Sequence, residues 1–148
     1  MDLTKIFNMM PYAQLLGIEV TEARDGHAEG ILPLSEDLRS NPHGSVAHGG
    51  ATYGLADTIG GAAVISLAED ISPTVDMRID YLAPAKTDLK ATADVIRHGS
   101  NLSMVRVEVD DVDGNRIATA QGTYKTGGQG EHTDWDGDGE EDRSESSG

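Results

Sequence analysis

One helical segment restricts this sequence more than any other feature, because its glycines limit what can pack against it. From 47 to 68, apolar residues recur at spacings of three and four, the period of an α-helix with a buried face. Four residues share one face of this helix, at i, i+4, i+7 and i+11: Gly50, Gly54, Asp57 and Gly61. An interior glycine costs a helix about 1 kcal/mol relative to alanine, and a face without side chains admits close backbone approach. The helix alone leaves two interpretations open: tight packing on a sheet with a solvated Asp57, or a carboxylate directed into a narrow cleft.

The rest of the sequence predicts strands around this helix. Residues 3–15 predict a short helix interrupted at Pro11. Period-2 alternation and turn residues predict six strands, at 18–23, 28–34, 74–81, 91–98, 102–110 and 116–125. Asp113-Gly114, between the last two strands, is a strong hairpin signal. Six strands that are mostly linked by hairpins, with one long helix, predict an α+β fold in which an antiparallel sheet packs on the helix.

Length and charge exclude several classes of protein. The 148 residues suffice for one domain, and the absence of cysteine excludes thiol nucleophiles, thiolate zinc sites and disulfides. A net charge of −15 argues against nucleic acid or an anionic membrane as a partner, because such binding needs a basic face. The surface is acid-rich and the chain has only four lysines. Two interpretations of this surface stay open: a halophilic cytosol, or an acidic mesophile.

The two ends of the chain carry further expectations. The N-terminus lacks the apolar stretch of a signal peptide, and no run of about 18 apolar residues occurs, so we expect a cytoplasmic protein without a membrane span. We expect one domain over 1–125 and an acidic, disordered tail over 126–148, which holds eight acids and one arginine. The tail segment 134–145 matches a calcium-loop pattern, but glycines and serines replace the flanking helices, so no metal site is predicted.

The start of the long helix offers a place for chemistry. His48-Gly49-Gly50 lies where the backbone N–H groups of a helix have no partner within the helix. These N–H groups, at the positive end of the helix dipole, favour an oxyanion or a polarised carbonyl. Asp57 follows His48 by nine residues, too far along the helix to cap that end.

Several motifs together resemble one known family. These are His48-Gly49-Gly50, Leu55-Ala56-Asp57, the segment 74–85 (TVDMRIDYLAPA) and the segment 120–123 (AQGT). The chain resembles the hotdog-fold acyl-CoA thioesterases of the phenylacetic-acid-degradation type over residues 12–125. The resemblance implies a hotdog fold, with a sheet of about six strands wrapped around the central helix. It also implies a homodimer or a dimer of dimers, an active site at the subunit interface, and no cofactor besides the CoA of the substrate.

The resemblance also implies a reaction and three roles in it. The family hydrolyses an acyl-CoA thioester to a free carboxylic acid and CoA. Asp57 matches the catalytic carboxylate, as general base toward water or as nucleophile, two alternatives that the sequence leaves open. The Gly49 N–H matches the group that polarises the thioester carbonyl. Thr74 stands where relatives have a serine or threonine that faces the carboxylate and positions water.

The loop before the helix matches the family less closely. His48 resembles the family histidine that shapes the loop, and Asn41 resembles the asparagine that orients water or substrate. Asn41 lies seven residues before His48, one more than in relatives, so His43 is an alternative for the role of Asn41.

Substrate binding and competing functions complete the expectations. Candidates for contacts with the phosphates of CoA are Arg78, Lys86, Arg97, Gly99 and Ser100. Candidates for an aromatic acyl pocket are Phe7, Tyr12, Tyr53 and Tyr81. A non-catalytic acyl-CoA-binding or sensing protein is the main alternative, although the chain has no DNA-binding appendage. A hydratase of the same fold is weaker, because no matching histidine motif is present.

Overall fold

The fold consists of one antiparallel sheet and one long helix, with two short helices before them. A computed structural model describes residues 2–127. The predicted tail from residue 128 onward, with its calcium-loop pattern, therefore lies outside the described residues. The helices are α1 (Leu3–Asn8), α2 (Pro11–Leu16) and α3 (Gly49–Ala68), and a 3₁₀ turn spans Glu36–Leu38. The strands are β1 (Glu19–Arg24), β2 (His27–Leu32), β3 (Thr74–Tyr81), β4 (Leu89–His98), β5 (Leu102–Asp111) and β6 (Arg116–Lys125).

All six strands form a single sheet in the order β1-β2-β4-β5-β6-β3. Every neighbouring pair is antiparallel. The predicted α+β class, the number of strands and the single long helix are confirmed. The prediction placed the start of α3 two residues too early, because His48 has extended backbone (φ −61°, ψ 137°) and caps the helix instead of belonging to it.

The core lies between α3 and the inner face of the sheet. Leu55, Ile59 and Val64 of α3 are fully buried, as are Val105 and Val107 of β5. By length and composition alone, α3 would suffice to cross a membrane, yet 72% of its apolar window is buried within the fold. The helix is therefore the core helix around which the sheet packs.

The glycines of α3 admit close neighbours on more than one side. A Cβ on Gly54 would lie 2.7 Å from the Tyr12 hydroxyl of α2, and a Cβ on Gly60 would lie 2.8 Å from the Tyr124 hydroxyl of β6. Gly50 is exposed, and within residues 2–127 the only side chain near it is that of His48, its own cap. The predicted glycine face therefore contacts α2, the helix cap and, at Gly61, the Tyr124 ring of the sheet. The closer contact with the sheet is at Gly60, outside that face.

The two edges of the sheet differ. At the β1 edge, the Asn8 side chain accepts from the Val20 N–H at 2.8 Å and donates to the Val20 carbonyl at 3.1 Å. At the opposite edge, β3 has no strand on its outer side within residues 2–127. Val75 is 60% exposed and Tyr81 50% exposed along β3. An unpaired edge with exposed apolar side chains is a template for another strand.

A cross-strand pair predicts a pH-dependent contribution to stability. His27 Nδ1 of β2 lies 2.7 Å from Asp94 Oδ1 of β4, and this hydrogen bond raises the pKa of His27. Burial has the opposite effect, whereas the negative charges of Asp94, Glu29 and Glu22 raise the pKa further. Because the pKa of His27 is higher in the folded state, protonated His27 stabilises the fold fully at pH values below its ordinary pKa of 6.5. This contribution is lost as pH rises through the pKa of the folded state.

We therefore expect His27→Gln to lower the free energy of unfolding more at pH 5.5 than at pH 8.5. The difference between the two losses should be less than about 1 kcal/mol, because solvent screens the pair. Urea titrations of both proteins at the two pH values measure this. Asp94→Asn should give the same pattern, and an equal loss at both pH values would contradict the expectation.

Candidate active site

The start of α3 leaves one backbone N–H free. His48 Nδ1 accepts from the Gly50 N–H at 2.8 Å, and the His48 carbonyl accepts from the Ala51 N–H at 2.9 Å. The Gly49 N–H has no acceptor among the described residues. His48 thus occupies the Gly50 N–H and leaves the Gly49 N–H available at the positive end of the helix. The Gly49 N–H is also the group that the family resemblance singles out.

A shallow cavity of about 410 Å³ borders Gly49. Its wall includes Val46, Gly49, Thr52, Tyr81, Leu82 and Ile117. The Tyr81 hydroxyl donates to the Gly49 carbonyl at 2.7 Å. Its ring lies so close that a Cβ on Gly49 would be 3.2 Å from Tyr81 Cζ. Glycine at this position therefore keeps the backbone accessible from the cavity.

The Asp57 carboxylate lies two turns further along α3, in contact with the sheet. Thr74 Oγ1 donates to Asp57 Oδ1 at 2.7 Å. The Tyr124 hydroxyl lies 2.9 Å from the same Oδ1 and 2.9 Å from the Asp57 backbone oxygen. No donor within residues 2–127 contacts Asp57 Oδ2. One carboxylate oxygen is thus held by two hydroxyl groups, and the other has no hydrogen-bond donor in the described chain.

A β-bulge directs Thr74 toward this carboxylate. In the pairing of β3 with β6, Thr74 is opposite Tyr124 and Asp76 is opposite Thr123, so Val75 is an extra residue between them. Further along β3, Met77 is buried on the inner face. Regular alternation from Met77 would place Thr74 on the outer face. The bulge reverses its direction, as bulges beside functional sites often do.

Tyr124 is a residue of this site that the sequence pattern did not lead us to predict. It is 1% exposed. Burial raises the pKa of Tyr124 far above the ordinary value of a tyrosine, and the negative charge of Asp57 raises it further. A hydrogen bond with Thr74 has a smaller effect in the opposite direction. The remaining inward residues of β6 are small: Ala118, Ala120 and Gly122. A single large aromatic residue on the inward phase of an otherwise small-residue strand is the signal that would have found it.

The Gly49 N–H and the Asp57 carboxylate of one chain are too far apart to contact the same carbonyl group. Gly49 and Asp57 are eight residues apart on one helix, which at 1.5 Å per residue separates them by about 12 Å. A carbonyl oxygen that accepts from the Gly49 N–H is therefore out of reach of the Asp57 carboxylate of the same chain.

The other loop residues lie apart from this carboxylate in the described chain. Asn41 Oδ1 accepts from the His43 N–H at 2.9 Å, which closes a turn within their own loop. Both side chains are exposed, and neither has a recorded contact with Asp57, Thr74 or Tyr124 in residues 2–127.

The candidate phosphate-binding residues are dispersed. Arg78 lies 3.6 Å from Asp80 on the outer face of the sheet, where it borders a second cavity together with Arg106. Lys86, Arg97 and Ser100 are exposed. The Gly99 N–H donates to the Leu102 carbonyl at 2.9 Å within the β4–β5 turn, so it is not free for a phosphate.

One group of side chains has the spacing of metal ligands within residues 2–127: Glu22, His27 and Glu29. Its carboxylates already have cationic partners, since Arg24 lies 3.0 Å from Glu22 and Lys90 lies 3.2 Å from Glu29. We assign this group to the charge network of the sheet surface.

Comparison with known proteins identifies the family. Residues 44–118, which contain α3 and β3, match the Thioesterase superfamily. A protein of Halobacterium salinarum, provisionally named an esterase, is 33% identical over 122 residues, or 74% of this chain and 80% of the relative. The medium/long-chain acyl-CoA thioesterase YigI of Salmonella typhimurium is 28% identical over 134 residues, or 80% of this chain and 86% of YigI.

A solved structure confirms the fold. The PaaI protein of E. coli, from the phenylacetic acid degradation operon, superposes with a TM-score of 0.78 at 24% identity, over 86% of this chain and 91% of PaaI. The predicted hotdog fold is confirmed, with the sheet packed around α3. The family match spans half of the chain and includes the helix that carries Gly49 and Asp57. The chain belongs to the thioesterase superfamily.

Proposed function

We propose that this protein hydrolyses an acyl-CoA thioester to a free carboxylic acid and CoA. The observation that carries the proposal is the Asp57 carboxylate, whose Oδ1 accepts from two hydroxyl groups while Oδ2 has no donor in the described chain. Water supplies the hydroxyl group of the acid, its second proton goes to the CoA thiolate, and the carbon–sulfur bond breaks. Membership in the thioesterase superfamily supports this reaction type.

The proposal requires a second copy of the chain. Because about 12 Å separates Gly49 from Asp57 along α3, a complete site combines the Gly49 N–H of one protomer with the Asp57 carboxylate of its partner. The open β3 edge supports pairing between two copies there, since the β1 edge is occupied by Asn8. We therefore propose a homodimer that pairs along β3, with its active sites at the interface.

Each group in the proposed site has a separate task. The Gly49 N–H polarises the thioester carbonyl and stabilises the oxyanion as charge develops. Asp57 Oδ2 acts as a base toward water or as a nucleophile toward the carbonyl carbon. His48 engages the Gly50 N–H and so keeps the helix start in place. Exposed Arg78, Lys86, Arg97 and Ser100 remain candidates for the phosphates of CoA.

The acyl group is the finer part of the proposal. The name of the YigI relative points to a medium or long acyl chain, whereas the resemblance to the phenylacetic-acid-degradation type points to a small aromatic acyl group. The large apolar side chains in the cavity wall beside Gly49 are three aliphatic ones, Val46, Leu82 and Ile117, against one aromatic ring, that of Tyr81, which favours an aliphatic chain.

A substrate panel tests the function and the acyl group together. Purified protein is mixed with acetyl-, hexanoyl-, dodecanoyl- and phenylacetyl-CoA, and release of the CoA thiol is followed with a thiol reagent. We expect the protein to hydrolyse hexanoyl- or dodecanoyl-CoA with a higher kcat/KM than acetyl- or phenylacetyl-CoA. Tight binding by calorimetry without thiol release would instead indicate an acyl-CoA-binding protein and would overturn the proposal.

A further inference from the structure

We infer that Tyr124 is a positioning residue for the reaction: its hydroxyl fixes the Asp57 side chain so that Oδ2 is the oxygen presented to water or thioester. The inference rests on the proposed function, because it assigns a role to Tyr124 within that site. Tyr124 would contact neither the substrate nor the reacting atoms and would act through Asp57.

The contacts of the hydroxyl carry this inference. It lies 2.9 Å from Asp57 Oδ1 and 2.9 Å from the backbone oxygen of the same residue. One hydroxyl thus links the end of the Asp57 side chain to its own backbone, which restricts rotation about the side-chain torsions. Thr74 donates to the same Oδ1 from β3. Donors from two strands therefore hold one oxygen and leave the other exposed to the site.

The fold provides space for the Tyr124 side chain with two glycines. A Cβ on Gly60 would lie 2.8 Å from the Tyr124 hydroxyl, and one on Gly122 would lie 2.9 Å from Cε2 as well as 2.6 Å from Met77 Cε. Glycine inside a helix is unfavourable by about 1 kcal/mol relative to alanine, and Gly60 lies inside α3. Filling a core does not need this arrangement, because alanines around a shorter side chain would fill the same space.

The protonation state of Tyr124 suits a donor that does not react. Burial and the negative charge of Asp57 raise its pKa far above the ordinary range, so the hydroxyl keeps its proton throughout the pH range of an assay. A permanently protonated hydroxyl donates to the carboxylate and takes no part in proton transfer. Its effect on the rate is therefore confined to the orientation of Asp57.

The test is Tyr124→Phe, which removes one oxygen and keeps the ring. We expect kcat to fall about 10- to 100-fold, because a misplaced catalytic group loses rate on that scale, while KM changes less than about twofold. A residue that only fills the core would lower thermal stability without this selective loss of kcat.

Ser66→Ala is the matched control. The Ser66 hydroxyl accepts from the Gly26 N–H at 2.9 Å and donates to the Ala63 carbonyl at 2.7 Å, so the variant also removes one partly buried hydroxyl at α3 without touching Asp57. We expect kcat within about threefold of wild type, at a similar cost in thermal stability. An equal loss of kcat in both variants would overturn the inference.

A structural measurement separates this inference from the proposed function. Crystal structures of wild type, Tyr124→Phe and Ser66→Ala show the Asp57 rotamer directly. We expect a displaced or split Asp57 carboxylate in Tyr124→Phe alone. An unchanged rotamer together with wild-type kcat overturns the role of Tyr124. Absence of hydrolysis in the wild type would instead overturn the proposed function, and an unmoved carboxylate would still refute the positioning role.

Discussion

Asp57→Asn is expected to release CoA from acyl-CoA about 100- to 10,000-fold more slowly than wild type, the range that a positioned base or nucleophile contributes. The amide oxygen of asparagine still accepts from Thr74 and Tyr124, so the local geometry is kept while the basic oxygen is lost. The measurement is kcat from thiol release with the best substrate of the panel. Because the geometry is preserved, a loss of this size is attributable to the carboxylate itself.

Two further variants complete this prediction. Asp57→Ala should lose as much activity and remain folded, because the buried Tyr124 hydroxyl keeps the Asp57 backbone oxygen as an acceptor. Its midpoint of thermal unfolding should fall by only about 2–4 °C. Glu69→Gln, which removes a charge just beyond the end of α3, is the control and should retain wild-type kcat. Turnover of Asp57→Asn within tenfold of wild type would refute the assignment of Asp57.

Mixed dimers are expected to recover activity from two inactive proteins. One protomer carries Asp57→Asn and the other Gly49→Pro, which deletes the N–H that lacks an acceptor. Proline is well tolerated at the first position of a helix, and the extended backbone of His48 suits a residue before proline. In a mixed dimer, the Gly49 N–H of the first chain meets the intact Asp57 of the second. The other site of that dimer carries both defects.

Random exchange of equal amounts should restore about a quarter of the wild-type activity, because half of the dimers are mixed and each has one intact site. The measurement is thiol release after unfolding and refolding the two variants together. A mixture of Asp57→Asn with Asp57→Ala should stay inactive. Sites contained within one chain would give no recovery in any mixture, which would refute the shared site.

Gly49→Ala controls for the added side chain in this experiment. Its Cβ would lie 3.2 Å from Tyr81 Cζ, as a proline Cβ would, but it retains the N–H. Tyr81 is 50% exposed and can shift by a few tenths of an ångström. We expect Gly49→Ala to keep kcat within about tenfold of wild type, whereas loss of an oxyanion donor costs Gly49→Pro about 100- to 1,000-fold.

The sequence predicts the elements of this fold well where local signals coincide with the tertiary structure. The bounds of β3 and β6 agree with the prediction, since Pro73 precedes one strand and the Asp113-Gly114 turn precedes the other. The start of α3 was wrong by two residues. The spacing of apolar residues predicts that Ala47 is helical. It does not indicate that His48 has extended backbone and caps the helix with its side chain.

The carboxylate site could be predicted only in part. Asp57 follows from its place on the helix and from the family resemblance, and the contact with Thr74 agrees with the predicted facing position. The burial of Tyr124 follows from the alternation of β6, but its contact with Asp57 could not be inferred, because the two residues are 67 apart in the sequence. The bulge at Val75, which turns Thr74 toward the same carboxylate, is likewise not visible in the strand pattern. Physical proximity in this site depends on strand register, which a single sequence does not specify.

The small side chain of Asn8 has a consequence for assembly. Once two copies have joined along β3, the outermost strands of the combined sheet are both β1, and in each copy the amide of Asn8 engages both backbone groups of Val20. A third copy would have to displace that amide before it could add a strand. In the proposed dimer, growth of the sheet is thereby self-limiting, because one edge of each copy is paired and the other is already occupied by its own chain.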